Sequence, residues 1–338
     1  MRNDLFSKLG FAATLLTLCV VVLGAFVRLS DAGLGCPDWP GCYGHLDVPK
    51  ESHEISAANE AYPERPVEAH KAWKEMVHRY FAGTLGLLIF AIAILALKQR
   101  REPQQQVKTP LFIVALVIFQ ALLGMWTVTL LLKPVVVMSH LMGGMATLSL
   151  LWWISLRHSG LLSARTIATP RMKTLALIGL IIVVLQIMLG GWTSANYAAL
   201  ACPDFPTCQT YWWPPTDFGE AFTLWRGLGV NYEFGVLDND ARVTIHLIHR
   251  IGAVITFLYL WWMGIVMLRQ SQDVIIRRIS IAMMTIVTLQ FLLGIGNVVL
   301  SLPLAVAVAH NGVAAILLLS LVSLNHALRS KREGEIHG

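Results

Sequence analysis

Charged side chains are scarce in this sequence. They make up 14% of the 338 residues, whereas hydrophobic side chains make up 56% and the mean hydropathy is +0.62. A soluble domain carries about 25% charged residues, so this composition excludes an ordinary soluble globular domain and predicts an integral membrane protein. The formal net charge is +6. In a membrane protein basic residues mainly set orientation, so this excess does not indicate a nucleic-acid partner.

The first apolar run lacks a cleavage signal. Arg2 and Lys8 precede it, as basic residues precede the apolar part of a secretory signal peptide. However, the apolar stretch is too long for a signal peptide, and no small-x-small site follows it. We therefore expect this run to be retained as a membrane-spanning helix.

Cysteine is also rare, and four of the five cysteines form two C-x5-C pairs. Neither pair has the neighbouring ligands that would complete a metal site. In an oxidising compartment, the sequence predicts the disulfides Cys36–Cys42 and Cys202–Cys208. Closing so short a ring contributes only about 2 kcal/mol on the chain-entropy account, so a redox-active dithiol is an alternative role for each pair.

Long apolar runs are the dominant feature of the chain. Eight are long enough to cross about 30 Å of hydrocarbon as a helix. They cover residues 10–29, 75–98, 109–132, 134–157, 172–193, 243–268, 277–301 and 303–327. Short proline-containing turns separate the third run from the fourth and the seventh from the eighth, and proline suits the start of a helix. The predicted fold class is an all-α integral membrane protein with eight transmembrane helices.

The distribution of basic residues predicts the orientation of these helices. With the N-terminus inside, the inner loops and both termini hold most of the 26 Lys and Arg residues. The two long loops, 30–74 and 194–242, then lie outside; they are called the first and second outer loops below. By the positive-inside rule we expect cytoplasmic termini, with the cysteine pairs on the opposite side.

The chain contains an internal repeat. "CPDWPGC" returns as "CPDFPTC", "EMVHR" as "HLIHR", "FQALLG" as "LQFLLG", and His140 as His310, all in order and at nearly one spacing. The simplest explanation is duplication of a four-helix unit, with halves at residues 1–165 and 166–338. Because each unit has an even number of spans, both halves enter the membrane in the same orientation. This predicts two tandem four-helix bundles related by a pseudo-two-fold axis along the membrane normal.

Four histidines lie inside the apolar runs near the outer face: His78, His140, His249 and His310. In each half they stand on the second and fourth helices, so two imidazoles can face each other across a bundle. This arrangement suits a metal held in a planar macrocycle and predicts two bis-histidine heme sites. The alternative is that each histidine only hydrogen-bonds between helices. Zinc or copper fits less well, because no third ligand recurs beside each pair.

The two halves differ most in chemistry at Glu75, whose counterpart is His246. Spacing of i to i+3 puts Glu75 on the same helix face as His78, and His246 on the same face as His249. A carboxylate in a low-dielectric site can move protons or orient a reacting group, which is the functional interpretation of Glu75. The alternative is that a helix N-terminus favours a negative side chain. His246 has no assigned function.

Two further kinds of polar residue recur in both halves. Arg79 and Arg250 are predicted to pair with heme propionates at the outer surface, although interfacial snorkelling explains them almost as well. Gln120 and Gln290 are predicted to be hydrogen-bond partners between helices rather than site residues.

The stretches "GAFVRLSDAGLGCPDWPGCYG", "EMVHRYFAGTLG", "SHLMGG", "IHLIHR" and "AHNG" together resemble the heme A synthase family over nearly the whole chain. The resemblance implies an oxidoreductase of heme A biosynthesis. Such an enzyme oxidises a methyl group of heme O to the formyl group of heme A through hydroxylated intermediates. It assigns His78 and His140 to the substrate heme, with Glu75 as the catalytic acid. It assigns His249 and His310 to a heme b cofactor that relays electrons.

The resemblance also implies a cellular setting. It places the protein in the bacterial plasma (inner) membrane, with the cysteine loops on the periplasmic side and the Cys36–Cys42 disulfide linked to activity. The implied partners are a heme O synthase (a farnesyltransferase) and cytochrome c oxidase assembly factors, and a homo-oligomer is allowed. The second outer loop departs from the family pattern by its length, and its Trp and Tyr residues suggest seating at the membrane interface.

Two other classes of function use the same residues. One is a di-heme membrane cytochrome that only carries electrons, and the other is a heme transporter or chaperone for oxidase assembly. A symmetrical carrier would not need the halves to diverge at Glu75. The runs also lack the charged, discontinuous helices that transport sites favour in both halves. The sequence therefore favours the enzyme.

Overall fold

The computed structural model describes residues 4–102, 105–164 and 168–329. Within these residues the chain forms the helices α1 (Asp4–Leu29), α2 (Ser52–Ala61), α3 (Ala69–Lys98), α4 (Lys108–Thr129), α5 (Pro134–Ser159), α6 (Pro170–Ala195), α7 (Phe218–Ala221), α8 (Asn239–Gln270), α9 (Val274–Val299) and α10 (Leu304–Arg329). Isolated β bridges pair Cys42 with His45 and Cys208 with Tyr211.

Among the described residues, 8 helices are long and apolar enough to cross a membrane. Their most apolar windows have mean hydropathies from 1.6 to 2.4. These membrane helices are α1, α3, α4, α5, α6, α8, α9 and α10. The predicted all-α class and the predicted number of spans are confirmed, and the helices indicate an integral membrane protein. The two short helices, α2 and α7, lie in the first and second outer loops.

Three membrane helices begin clearly earlier than predicted, and one of them is α1, which starts at Asp4 rather than near position 10. α3 starts at Ala69 rather than near position 75, and α8 starts at Asn239 rather than near position 243. The added turns of α3 carry polar residues such as Lys71, which hydropathy assigns to a loop although they are compatible with a helix. Glu75 and His78 therefore lie in the second and third turns of α3 rather than at its mouth.

Local sequence signals fix where several helices begin and end. Pro134 and Pro170 start α5 and α6, where the N–H that proline lacks would have no helical partner. The Thr169 hydroxyl accepts a hydrogen bond from the backbone N–H of Met172 and caps α6. α5 ends at Gly160 with a φ of 68°, which glycine adopts without steric cost. These ends keep the connections short, so successive helices pack as neighbours.

The membrane helices contact one another in two closed rings. In the first ring, α1 packs on α3, α3 on α4, α4 on α5, and α5 on α1. In the second ring, α6 packs on α8, α8 on α9, α9 on α10, and α10 on α6. α3 and α5 therefore occupy opposite corners of the first ring, as α8 and α10 do in the second. The rings meet where α10 contacts α1 and α5, and where α5 contacts α6.

Apolar side chains fill both rings and the junction between them. In the first ring, Ile92 and Leu151 are 1% and 0% exposed. A larger cluster extends from Met145 and Leu148 of α5 into the helices of the second ring. Because lipid is as apolar as these side chains, close packing rather than exclusion from water holds such helices together.

Polar contacts also join the rings, one at each end of the helices. The Trp152 Nε1–H of α5 donates to Ser323 Oγ of α10 at 2.8 Å. At the end of the helices that carries the first and second outer loops, the Arg28 guanidinium donates to the Ser194 carbonyl at 2.6 Å and lies 3.9 Å from the centre of the Tyr197 ring. Hydrogen bonds in an apolar interior have few competing partners, so these contacts fix how the rings sit against each other.

The second outer loop reaches across to the first ring. Lys133, in the turn between α4 and α5, is only 1% exposed. Its ammonium donates to the Gly227 carbonyl and lies 3.0 Å from the centre of the Trp225 ring. Nearby, the Tyr232 N–H donates to the Leu131 carbonyl at 3.0 Å. Part of this long loop is therefore docked on the α4–α5 turn.

Replacing Lys133 with Met is expected to release the docked part of the second outer loop. A desolvated cation–π contact contributes about 2 kcal/mol, so backbone amides around Trp225 should exchange with deuterium roughly 10-fold faster or more. Hydrogen exchange followed by mass spectrometry measures this effect. Lys50→Met is the matched control, because Lys50 faces the Trp73 ring at 5.2 Å but is exposed. Unchanged exchange around Trp225 in the Lys133 variant would show that the contact does not hold the loop.

Candidate functional site

The four histidines lie on helices at opposite corners of the two rings. His78 is on α3 and His140 on α5, whereas His249 is on α8 and His310 on α10. His249 and His310 line the same cavity, and the order of the helices places His78 and His140 across the first ring from each other. The structure therefore brings together the two pairs that the sequence predicts.

Each histidine ring packs against a glycine of the neighbouring helix. A Cβ added to the glycine would lie within 3.5 Å of the histidine Cε1 in all four cases: Gly24 to His78 at 3.0 Å, Gly124 to His140 at 3.5 Å, Gly190 to His249 at 3.1 Å, and Gly294 to His310 at 3.2 Å. Contacts near 3 Å are tighter than a Cβ normally makes. The glycines therefore leave the space that the imidazoles occupy, and they recur in the order of the sequence repeat.

Imidazole nitrogens in these pairs lack protein partners. The Nδ1 atoms of His78, His140 and His310 are buried and have no hydrogen-bond partner among the described residues. A buried polar atom without a partner costs free energy, and natural proteins retain such atoms mainly where a ligand or an ion uses them. Four interior imidazoles in two pairs, each packed against a glycine, fit paired axial ligands of a heme iron.

The second pair lines a cavity of about 470 Å³. Its walls come mainly from α6, α8, α9 and α10, with Leu141 and Met145 of α5, and are mostly apolar; His249, His310 and Gln290 face into it. Trp212 and Trp213 of the second outer loop complete its wall. Pockets of 300–1,000 Å³ with apolar walls and few polar groups are typical of cofactor sites. The cavity therefore suits a flat, hydrophobic cofactor held between His249 and His310.

Two glutamines lie at the second pair. Gln186 Nε2, on α6, is 3.0 Å from His249 Nδ1, and Gln290 Nε2, on α9, is 3.2 Å from His310 Nε2. Gln290 therefore bonds between helices as predicted, but it does so at the site, where it was not expected. Gln186 was not predicted from the sequence as a site residue. The available signal was a polar residue one helical turn before Gly190 in an otherwise apolar run.

The outer loops carry the two predicted disulfides. The structure joins Cys36 to Cys42 in the first outer loop and Cys202 to Cys208 in the second. All four cysteines are at most 1% exposed. The pairs therefore form compact caps at one end of each ring, close to the first turns of α3 and α8.

An aspartate builds the same turn inside each disulfide loop. The carboxylates of Asp38 and Asp204 each accept hydrogen bonds from two backbone N–H groups that follow the second cysteine. The hydrogen bond from Thr207, followed by those from the backbone of Thr210 and Gln209, lowers the pKa of Asp204. The two loops thus share one structure as well as one motif, in keeping with the sequence repeat.

Arg79 and Arg250 hold these loops through backbone carbonyl groups. Arg79 donates to three carbonyl oxygens of the first loop, those of Asp38 (3.0 Å), Pro40 (3.3 Å) and Gly41. Arg250 donates to three of the second loop, those of Cys202 (2.7 Å), Asp204 (2.9 Å) and Thr207 (2.8 Å). The planar guanidinium group of arginine carries five N–H donors, so it can bind several carbonyl oxygens at once. Pairing of these arginines with heme propionates stays a prediction.

Glu75 and His246 make equivalent contacts in the two halves. The Glu75 carboxylate is 5% exposed; it accepts from the Cys36 N–H at 3.0 Å and from Arg79 at 2.5 Å. His246 Nδ1 lies 3.3 Å from the Cys202 N, and its Nε2 lies 3.2 Å from Arg250 Nε. A carboxylate can accept both bonds at once, whereas a neutral imidazole accepts at one nitrogen only. The Glu75–Arg79 ion pair therefore helps to hold the first disulfide loop on α3. The second disulfide loop has a neutral imidazole in place of this carboxylate and is held more weakly on α8.

The fold and these contacts define an all-helical integral membrane protein with paired histidines inside its helix rings and disulfide loops over their outer ends. Comparison with known proteins agrees with this class. The COX15-CtaA family, described as cytochrome oxidase assembly protein, matches residues 7–322. The chain belongs to this family.

Three curated relatives of this chain share one name. The heme A synthase of Shewanella oneidensis is 49% identical over 316 residues, covering 93% of this chain and 94% of the relative. The heme A synthase of Allorhizobium ampelinum is 27% identical over 94% of this chain and 89% of its own length. That of Rhizorhabdus wittichii is 25% identical over 93% of this chain and 91% of its own length. The similarity thus spans both rings and both outer loops.

Proposed function

We propose that this protein is a heme A synthase, an oxidoreductase that converts a methyl group of heme O to the formyl group of heme A through hydroxylated intermediates. The observation that carries the proposal is the pairing of four interior histidines, two in each ring of helices, at repeated positions. Family membership and the names of the relatives support it. An electron carrier or a heme transporter would use the same histidines but would not convert heme O to heme A.

We infer that the two rings are tandem four-helix bundles related by a pseudo-two-fold axis along the membrane normal. The cyclic helix contacts, the repeated glycine–histidine contacts and the equivalent disulfide loops support this arrangement. The halves would be residues 1–165 and 166–338. The boundary between them falls outside the described residues.

The first ring is proposed as the substrate site, and the second as the cofactor site. His78 and His140 would hold heme O and release heme A, while His249 and His310 would hold heme b. A bound heme b supplies a one-electron redox centre beside the substrate site. The apolar cavity that His249 and His310 line supports the cofactor assignment. The apolar walls of both rings suit a hydrophobic substrate that enters from lipid.

Glu75 is proposed to act on the substrate side. It stands one turn before His78 on α3, and its carboxylate is enclosed by Arg79 and the Cys36 N–H. Oxidation of a methyl group releases protons, and a carboxylate in this enclosed place can accept a proton and pass it toward the outer surface. Because Arg79 also holds the first disulfide loop, breaking the loop would shift the carboxylate and its neighbour His78.

The proposed location is the bacterial plasma membrane, with cytoplasmic termini and both disulfide loops on the periplasmic side. The excess of Lys and Arg in the inner loops supports this orientation. The proposed partners are a heme O synthase, which supplies the substrate, and the assembly factors of cytochrome c oxidase.

Conversion of supplied heme O tests the proposed function. The full chain, purified in detergent or expressed together with a heme O synthase, should yield heme A or its hydroxylated intermediate in extracted pigment. Heme b should be present in the same extract. Heme b as the sole pigment, with supplied heme O unchanged, would favour an electron carrier instead.

Replacing Gly24 with Ala is expected to impair conversion several-fold. The new Cβ would lie 3.0 Å from Cε1 of His78, so the ring must shift by a few tenths of an ångström, and positioning errors of this kind are costly in active sites. Gly83→Ala is the matched control on the helix of His78, since no atom lies within 4 Å of its added Cβ. Heme A formed per unit of purified protein is the readout. Equal activity of both variants would contradict a positioning role for the glycine.

A further inference from the structure

We propose that Tyr232 of the second outer loop is a substrate-binding residue of the first histidine pair, and that its hydroxyl donates a hydrogen bond to a carboxylate of the bound heme. A loop from the second half of the chain thereby completes the site in the first half. The proposal rests on the proposed function of His78 and His140 as the substrate site, and it adds a contact that holds the substrate there.

The segment that carries Tyr232 crosses the end of the first ring. It is attached to the α4–α5 turn, where the Tyr232 N–H donates to the Leu131 carbonyl at 3.0 Å. It is also attached to the first outer loop, where the Glu233 carboxylate lies 3.3 Å from the Arg65 guanidinium. Leu34, which follows α1, belongs to the same buried apolar cluster as Tyr232. Because α1 and α4 occupy opposite corners of the first ring, the segment spans the ring from corner to corner.

The apolar cluster around Tyr232 lies one helical turn from His140. Val128 of α4 is a member of this cluster, and Val137 of α5 packs against it. Val128 comes four residues after Gly124, the glycine that packs against the His140 ring, and Val137 comes three residues before His140. Residues three or four apart lie on the same face of a helix, about one turn from each other. Tyr232 therefore covers the first ring over His140, on the side of the outer loops.

The hydroxyl of Tyr232 is available as a hydrogen-bond donor. Tyr232 is 3% exposed, and its hydroxyl is buried with no hydrogen-bond partner among the described residues. Buried tyrosine hydroxyls normally have a partner, because an unpaired one costs free energy. Burial raises the pKa of Tyr232, and the charge of Arg226 opposes this shift. The hydroxyl therefore stays protonated at neutral pH and can donate to a bound ligand.

The interior of the first ring determines where the carboxylates of a heme can lie. A heme carries two carboxylates on one edge of an otherwise apolar macrocycle. The helices on the far side of the histidines are filled with apolar side chains such as Leu85 and Leu151, where an ionised carboxylate would be costly. With the iron between His78 and His140, the carboxylate edge therefore faces the outer loops. There it meets the buried hydroxyl of Tyr232, and a hydrogen bond to a charged acceptor is stronger than one between neutral groups.

This contact holds the substrate by a group that takes no part in the oxidation. An interaction of that kind is made equally in the ground state and in the transition state. Its loss weakens binding, and its kinetic signature is a rise in KM. This signature separates Tyr232 from Glu75, whose proposed role is in the proton transfer itself.

The test uses the full chain purified in detergent from cells without a heme O synthase. Heme O is titrated in, and the absorbance change on ligation gives its Kd. Tyr232→Phe removes only the hydroxyl, since the aromatic ring and the backbone hydrogen bond to Leu131 stay. Tyr211→Phe is the matched control, because Tyr211 is an exposed tyrosine of the same loop. Losing a hydrogen bond to a charged group should raise the Kd of heme O for Tyr232→Phe about 10-fold or more.

The dimethyl ester of heme O shows which part of the substrate the hydroxyl contacts. Esterification removes the carboxylate charge but keeps the macrocycle and the iron. The ester should therefore bind the unaltered chain about 10-fold more weakly than heme O does, or weaker still. It should bind Tyr232→Phe and the unaltered chain with similar Kd values, because the contact is already lost in both cases.

Three results would overturn the role of Tyr232. One is equal heme O binding by Tyr232→Phe and the Tyr211→Phe control. Another is weakening of the ester and of heme O by the same factor in Tyr232→Phe, which would assign the effect to packing. The third is equal binding of heme O and its ester by the unaltered chain, which needs no variant and so keeps the test valid if Tyr232→Phe does not fold. No heme O binding by the unaltered chain would instead contradict the proposed substrate site itself.

Discussion

Removing one histidine from each pair is expected to give opposite pigment losses and a large loss of heme A formation in both cases. His78→Ala should lose the substrate pigment but keep heme b, because His249 and His310 lie in the other ring. His249→Ala should lose heme b. Each change removes one of two axial ligands, and the loss of conversion should be at least about 100-fold, as for a group that holds a reacting centre in place. Extracted pigments and heme A formation measure both effects.

The asymmetry, rather than the loss of activity, is the informative part of this result. His53→Ala is the control, since His53 is exposed on α2 in the first outer loop. Loss of both pigments in His78→Ala and in His249→Ala would mean that the rings do not bind independently. Retention of both pigments in either variant would remove that histidine from the set of ligands.

Glu75→Gln is expected to stop heme A formation while heme b stays bound. Glutamine keeps an oxygen that accepts the Cys36 N–H, but it has no charge to pair with Arg79 and cannot take up a proton. General acid–base groups contribute about 10²- to 10⁴-fold to rates, so conversion should fall by at least about 100-fold. The rate of heme A formation and the heme b content of the purified variant are the measurements.

His246→Gln is the matched change in the second half. It alters the residue that contacts Cys202 and Arg250 in the way that Glu75 contacts Cys36 and Arg79. If the Glu75 carboxylate only held the first disulfide loop in place, glutamine would replace it adequately. Near-normal conversion in Glu75→Gln, or an equal loss in His246→Gln, would therefore reassign Glu75 from chemistry to loop structure.

Much of the fold could be predicted because apolar runs in a membrane protein directly specify helices. The spans around His140 and His310 lie within a few residues of their predicted positions, since Pro134 and Pro303 mark sharp starts. The start of α3 could not be predicted from hydropathy, because its first turns are polar and helical at once. Helix ends at the interface depend on tertiary contacts with the outer loops, which a local pattern does not contain.

The candidate site was predictable in its residue types and less so in its contacts. The repeat identified the four histidines, because ionisable residues inside apolar runs are rare. It could not show that Arg79 binds carbonyls of the disulfide loop or that Glu75 accepts from Cys36, since the loop and the helix are far apart in sequence. The contact of Gln186 with His249 was hidden for a further reason. Gln186 has no counterpart glutamine in the first half of the chain, so the repeat that identified the histidines did not identify Gln186.

The central claim is that facing histidines hold two hemes, one in each ring. The most direct measurement is the optical and electron paramagnetic resonance spectrum of the purified full chain, together with the identity of its extracted pigments. The account predicts low-spin signals typical of bis-histidine ligation, with heme b and either heme O or heme A in the extract. A protein isolated from heme-sufficient cells with no heme absorbance, or with signals from a different ligand set, would contradict it.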